Sequence, residues 1–255
     1  MRLLMIGDVV SQTGCDFLAS KLHDIKRRYK IDVTVINGEN SASGNGITIY
    51  SCDFLTRTGA DVITTGNHAF KRRESVQIFD TVPHLLRPAN YSDEVCGRGV
   101  CTLDMGRCQI AVVNLMGVIY MEPLANPFKT IDEVLSHIET KNIFVDFHAE
   151  ATAEKKALGY YLAGRVTGVF GTHTHVQTAD EAILDGGTAY ITDVGMTGPE
   201  ESVLGVNKEI AIEKQRLNYP VRFMEADTPC FINAVIVEFD EKTGKASHIE
   251  RIVER

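Results

Sequence analysis

The sequence predicts an α/β fold with mixed parallel and antiparallel sheets. Three observations carry that reading. Over roughly the first third of the chain, short β-branched runs alternate with amphipathic helical stretches, as strand–helix–strand units do. Each of those runs closes on polar residues, and ligands of open α/β sheets bind at that carboxyl end. Further along, pairs of short runs flank tight turns and read as antiparallel hairpins.

Residues 3–6 read as the opening strand, closed by Gly7-Asp8. Residues 16–30 carry Phe17, Leu18, Leu22 and Ile25 on one face and basic residues opposite, the mark of an amphipathic helix. Residues 31–36 are β-branched and apolar, so a buried strand, ending in Asn37-Gly38-Glu39-Asn40. A glycine- and serine-bearing loop, 41–46, leads to a helix over 49–58. Residues 62–65 form a third strand, ending in Gly66-Asn67-His68, and 74–79 a short helix. The intervals from Asp8 to Glu39 to Asn67 are each close to one strand-plus-helix unit, which would bring the three side chains together.

The middle of the chain changes character. Residues 100–105 and 109–115 read as a hairpin around Asp104-Met105-Gly106-Arg107. A loop over 117–129 precedes a helix over 131–139. A strand over 142–147 ends in His148-Ala149-Glu150, and a helix over 152–163 follows. The apolar run 166–170 then reads as a buried strand closed by Gly171-Thr172-His173-Thr174-His175. On an extended backbone the two histidines would project to the same side. A second hairpin is expected over 181–183 and 188–191, a polar helix near 208–216, and two final strands over 230–238 and 246–253. With no repeat, low-complexity tract or linker, residues 1–255 read as one domain.

The bulk numbers exclude several function classes. The chain has 255 residues, 44% hydrophobic and 24% charged, enough to bury a core without disulfides. Its net charge of −8 offers no basic footprint for nucleic acid. An acidic surface still admits a small phosphorylated substrate if a metal supplies local positive charge. Cys15, Cys52, Cys96, Cys101, Cys108 and Cys230 form no C-x-x-C pair and read as reduced thiols. No run approaches membrane-spanning length, and the amino-terminal apolar run is too short for a signal. The expected location is the cytoplasm.

The strand ends together carry the chemistry: Asp8, Glu39, Asn40, Asn67, His68, His148, His173 and His175. Singly, each has a bland reading as a turn former, helix cap or solvated group. Jointly, carboxylate, amide and imidazole suit a pair of divalent ions of intermediate softness such as Fe, Mn or Zn. Two such ions about 3.5–4 Å apart clamp an in-line displacement at phosphorus. Lower weight falls on Asp193 and Glu150, which could orient a histidine. It falls also on Lys71, Arg72 and Arg73, a charge run past His68.

The order Gly7-Asp8, Gly38-Glu39-Asn40, Gly66-Asn67-His68, His148, Gly171-Thr172-His173-Thr174-His175 resembles the calcineurin-like metallophosphoesterases. More narrowly, it resembles the YmdB-like subgroup of bacterial phosphodiesterases. The resemblance spans Asp8 to at least Asp193. Two positions depart from the broad superfamily: Val10 stands where a histidine is usual, and Glu39 where an aspartate is usual. Both departures fit the subgroup.

The resemblance implies a calcineurin-like four-layer α/β/β/α sandwich with mixed sheets. It implies that Asp8, Glu39, Asn40 and His175 hold one metal, that Asn67, His148 and His173 hold the other, and that Glu39 bridges. Iron is the metal it favours, with manganese or zinc as alternatives. It implies hydrolysis of 2′,3′- or 3′,5′-cyclic nucleotides by a hydroxide between the metals, with His68 off the metals as general acid. A small phosphodiester is then the partner, and a homo-oligomer is left open. The alternatives are a phosphomonoesterase or protein phosphatase, and a regulator that keeps its metals without turnover. An amidohydrolase also uses His-x-His, but the hairpins break the alternation that a barrel requires.

Overall fold

The computed structural model describes residues 1–255. The chain runs β1 (Arg2–Ile6), β2 (Asp8–Val9), α1 (Ser11–Tyr29), β3 (Val33–Asn37), α2 (Ile49–Thr58), β4 (Val62–Thr64), α3 (Ile78–Thr81), β5 (Val100–Asp104) and β6 (Gln109–Met116). It continues with α4 (Pro127–Ser136), β7 (Asn142–His148), α5 (Thr152–Leu162), β8 (Gly168–Thr172), β9 (Ala182–Leu184) and β10 (Thr188–Ile191). The last elements are β11 (Met196–Pro199), α6 (Lys208–Leu217), β12 (Cys230–Asp240) and β13 (Lys245–Glu254).

Two mixed sheets result. One has the order β2-β11-β12-β1-β3-β4, with β13 also paired to β12. Its β1, β3 and β4 are parallel, and β12 runs antiparallel to β1. The other has the order β5-β6-β7-β8-β10-β9, parallel from β6 to β10 with antiparallel edges.

Strand alternation decides the layering. Leu4, Ile6, Ile36 and Ile63 turn one way, onto Leu18, Leu22 and Ile25 of α1 and Leu55 of α2. Leu3, Met5, Val33, Val35 and Val62 turn the other way, onto Val112, Phe144 and Phe170 of the second sheet. That sheet's far face carries Val145, Phe147 and Val169 onto Ile131 of α4 and Leu158 and Leu162 of α5. The order of layers is therefore helix, sheet, sheet, helix, as expected. Because both faces of the central strands are covered, they read as continuous apolar runs.

The structure departs from the sequence expectation at identifiable points. Helix α1 begins at Ser11, not near residue 16, because Val10 supplies no capping side chain and the apolar periodicity starts only later. Helix α4 begins at Pro127, where Asn126 Oδ1 accepts the Phe128 and Lys129 N–H groups, and it ends at Ser136. The short helix over 74–79 is a 3-10 turn (Arg73–Ser75) followed by α3. Strands β2 and β11 were not anticipated. They pair with each other, Met196 opposite Asp8. All six cysteines are free thiols, and no helix is long and apolar enough to cross a membrane.

Ser11 opens α1 with φ 63°, and its buried Oγ has no hydrogen-bond partner. A left-handed non-glycine residue costs about 1–2 kcal/mol, and an unsatisfied buried hydroxyl about 1–3 kcal/mol. Glycine there would cost about 0.5–1 kcal/mol in chain entropy. Ser11→Gly is therefore expected to stabilise the protein by about 1 kcal/mol, seen as a higher urea midpoint at unchanged m-value. A lower midpoint would contradict the strain argument.

Candidate metal centre

The eight strand-end residues form one cluster. At Gly7 the chain passes from β1 to β2, and Asp8 leaves β1's partners for β11. The backbones lie so close here that a Cβ on Gly7 would sit 2.0 Å from Gly195 O. Glu39 and Asn40 follow β3 in a turn that Asn37 Oδ1 closes by accepting the Glu39 N–H at 3.2 Å. Asn67 and His68 follow β4, in a turn closed from Ala69 N–H to Gly66 O at 3.1 Å. His148 is the last residue of β7.

His173 and His175 are placed differently from the sequence expectation. Strand β8 ends at Thr172, so neither histidine is on extended backbone. Their φ angles are 103° and 64°, both left-handed. Strand alternation therefore does not set their directions. A tight loop does, and it sends them apart: His175 to Asp8 and Asn40, His173 to His148 and Glu150.

The hydrogen bonds behind each imidazole fix which nitrogen faces inward. Burial pushes the Asp146 carboxyl up to about 6, with Thr64, His148 and Thr172 pulling it back, so it is ionised at neutral pH. It accepts from Thr64 Oγ1, from Thr172 Oγ1 at 2.7 Å and from Asn37 Nδ2 at 3.1 Å. Thr172, having given its proton to Asp146, accepts from His148 Nδ1–H at 2.9 Å. His175 Nδ1 donates to Leu204 O at 3.2 Å, and His173 Nε2 faces Glu150 Oε2 at 3.1 Å. In the neutral rings this leaves His148 Nε2, His173 Nδ1 and His175 Nε2 as inward lone pairs.

Those lone pairs meet two buried carboxylates. Ligating atoms of Glu39, His148 and His173 all lie within 4.8 Å of one another. Asn67 Oδ1 is 3.1 Å from His148 Nε2. On the other flank, His175 Nε2 is 3.7 Å from Asp8 Oδ1 and 3.2 Å from the Asn40 amide. Glu39 joins the flanks, its Oε1 3.3 Å from His148 Nε2 and 3.0 Å from Asn40 Nδ2.

Burial alone would raise the Glu39 carboxyl, but His148 and His68 hold it well below the usual carboxylate range. Asp8 is likewise lowered, by His175 against burial. Burial opposes charge on His148, yet Glu39 and Asp8 push it up to about 9. A potential that binds a proton this firmly also favours a divalent cation. The donor set of carboxylate, amide and imidazole fits one of intermediate softness.

Two details refine the expectation. Asn40 turns its Nδ2 toward Asp8, Glu39 and His175, and its Oδ1 toward His68 Nδ1 at 3.1 Å. Ligation by its oxygen asks for a half-turn of that amide. His68 was expected to point away from the cluster. Its N–H is tethered to Glu39 Oε2 at 3.1 Å, which brings the ring back so that Nδ1 lies 3.1 Å from Glu39 Oε1. The ring's polar contacts run through Nδ1, leaving Nε2 for a ligand.

Sequence reasoning missed Asp146, Thr172 and Asn37. The signal for Asp146 was present: it lies two residues before His148 on one strand, hence on the same face. Lys71, Arg72 and Arg73 stay outside the cluster. Arg72 instead donates to Ser43 O and, at 2.9 Å, to Asn45 O, stapling the 41–46 loop.

The four-layer sandwich is a fold this chain shares with solved structures described as a phosphatase and a putative 5′-nucleotidase. The family model for YmdB-like proteins matches residues 4–252, and the chain belongs to that family. A Bacillus subtilis protein named 2′,3′-cyclic-nucleotide 2′-phosphodiesterase is 46% identical, covering 99% of this chain and 97% of its own. A crystal structure described as a novel phosphatase from Mycoplasma pneumoniae superposes with a TM-score of 0.94 at 34% identity, covering 100% of this chain and 94% of the other. A hypothetical protein from Thermus thermophilus gives 0.93 at 37% identity, covering 99% and 98%.

Thr172→Val keeps shape and removes the hydroxyl between Asp146 and His148. It is expected to cost about 1–3 kcal/mol in urea unfolding, because two buried polar groups lose their partner. Long-range 1H–15N spectra taken above pH 9, where the ring is neutral, should lose the fixed His148 Nδ1–H tautomer. An unchanged tautomer would sink the relay.

Proposed function

We propose that this chain is a two-metal phosphodiesterase acting on 2′,3′- or 3′,5′-cyclic nucleotides, with residues 1–255 working as one domain. It is a metallophosphoesterase by family and fold. The observation that carries the finer reading is the inward convergence of His148 Nε2, His173 Nδ1 and His175 Nε2 on Asp8 and Glu39. The likeness to a relative named for cyclic-nucleotide cleavage supports the substrate class.

In this reading Asp8, Glu39, Asn40 and His175 hold one ion, and Asn67, His148 and His173 the other, with Glu39 shared. Bound there, the ions supply Lewis acidity and a nucleophile derived from water at neutral pH. Iron, manganese and zinc all suit the donor set. The chain's own work is positioning and proton transfer. Thr172 and Asp146 hold the His148 ring, Leu204 O holds His175, and Glu150 holds His173. Glu39 holds His68 through Nδ1, so that Nε2 can protonate the departing ribose oxygen. That oxygen is a poor leaving group and needs the proton.

A phosphatase reading is kept by the M. pneumoniae relative, and one assay separates the two. Purified protein is expected to hold about two metals per chain by elemental analysis, as the two-ion clamp requires. It should hydrolyse bis-p-nitrophenyl phosphate and 2′,3′-cyclic AMP in preference to p-nitrophenyl phosphate. Monoester preference would favour the phosphatase, and metal without turnover a non-catalytic regulator. His68→Ala should keep both metals and lose about 10²–10⁴-fold in kcat. Full activity in that variant would remove His68 from the mechanism. Chelation should lower Tm, and Mn2+ should restore it, since an ion bound only by the folded state stabilises it.

A further inference from the structure

Helix α5 and the segment after β10 bury an ion pair that the proposed chemistry does not use. Lys155 Nζ lies 2.7 Å from Asp193 Oδ2, and both side chains are only 1% exposed. Neither touches a metal-ligand candidate side chain. The same Asp193 Oδ2 accepts from Thr174 N at 3.1 Å and from Thr174 Oγ1 at 2.7 Å. Asp193 Oδ1 accepts from Gly195 N at 2.9 Å. Thr174 is the residue between the two histidines.

That loop needs holding. His173 and His175 both sit at left-handed φ, where a non-glycine residue costs about 1–3 kcal/mol and persists only if its surroundings over-determine it. His173 has several further ties: its N–H donates to Asp8 Oδ2 at 3.2 Å, and its ring meets His148 and Glu150. His175 has fewer, from its ring to Leu204 O and to the Asn40–Asp8 pair. Its backbone placement therefore leans on Thr174. A buried ion pair is also a poor stabiliser, often replaceable by apolar residues at no loss. Its use is best sought in what it orients.

We propose that the Lys155–Asp193 pair is a positioning device that locks Thr174 and so delivers His173 and His175 to different ions. Lys155 aims the Asp193 carboxylate, and Asp193 fixes the turn. With the lock removed, His175 is released before His173, and the ion on the Asp8 flank is weakened before the ion on the His148 flank. The inference rests on the two-metal reading, so its test includes a readout that needs no metal.

The full chain is stripped of metal and titrated with Mn2+ by calorimetry, as wild type, Asp193→Asn and the volume-matched double variant Lys155→Met/Asp193→Leu. The wild type is expected to show two sites. Asp193→Asn should weaken one of them about 10–100-fold, the usual cost of losing a group that orients a ligand, and leave the other near wild type. The double variant should recover Tm to near wild type through apolar packing, yet keep the weakened site. Two wild-type-like sites in the double variant overturn the proposal. Asp193→Glu, which keeps the charge, should recover more of the weak site than Asp193→Asn. In metal-free protein, 1H–15N correlations should show His175 losing its Nδ1–H to Leu204 bond in both charge-removing variants, with His148 unchanged. A retained His175 signal overturns the lock. A wild type with fewer than two sites, but with that His175 change in the variants, overturns the two-metal reading and leaves the lock standing.

Discussion

Asp146 accepts hydrogen bonds from both sheets at once. Thr64 and Asn37 reach it from β4 and β3 of the first sheet, and Thr172 from β8 of its own. Beside it, Asn114 on β6 accepts from Thr65 N at 2.9 Å and donates to Thr65 O at 3.0 Å, a second clasp between the sheets. The interior between the sheets is otherwise filled by apolar side chains, which are tolerant of small slides. A cluster drawn from both sheets, if it is to hold ions as proposed, is not so tolerant. Its donors must hold positions to a few tenths of an ångström, and directional hydrogen bonds between buried partners supply that where packing does not. The polar seam sits at the one end of the sandwich where Asp8, Glu39 and Asn67 face His148, His173 and His175.

This explains what was legible in the sequence. The parallel order β1-β3-β4 and the helices between them leave local signatures: apolar runs, turn residues and a 3.6-residue period. Helix α2 falls on 49–58 as expected, with Thr48 and Ser51 forming its capping box. The strand-end residues were legible because polar residues interrupting apolar runs stand out. All eight gather in one place. Strands β2 and β11 were not legible. They are two and four residues long, and β2 exists only by pairing with β11, which is itself held on β12. Yet that pairing carries Asp8 into the cluster. Asp146 was visible as a carboxylate on the His148 face of its strand, but its sharing with Thr64 and Asn37 of the opposite sheet leaves no local signature.

The His-x-His stretch shows how two histidines can reach one cluster by a local backbone the sequence did not announce. Strand alternation puts residues i and i+2 on one side. The proposed pair of ions, one on each flank of Glu39, would call instead for imidazoles that diverge. The left-handed backbone at His173 and His175 achieves that, at a conformational cost that Asp8, Asp193 and Leu204 offset through hydrogen bonds. Sequence spacing announces the histidines, but the backbone angles that separate them come from residues far along the chain.

Charge accounts for why such a centre prefers a cation to any rearrangement of its own groups. Asp8, Glu39, Asp146, Glu154 and Asp193 are all buried, in a chain of net charge −8, while Lys155 and Arg87 are the buried cations. Lys155 is spent on Asp193, and Arg87 donates to the backbone carbonyls of Pro88, Val95 and Cys96. For cationic partners Asp8 and Glu39 are left with imidazoles alone, and His148, His173 and His175 each commit one nitrogen elsewhere. Protonating those rings answers the field only by giving up their lone pairs. A divalent ion answers the same field and uses every lone pair that points inward, so the cluster's electrostatics and its hydrogen bonds favour the same occupant.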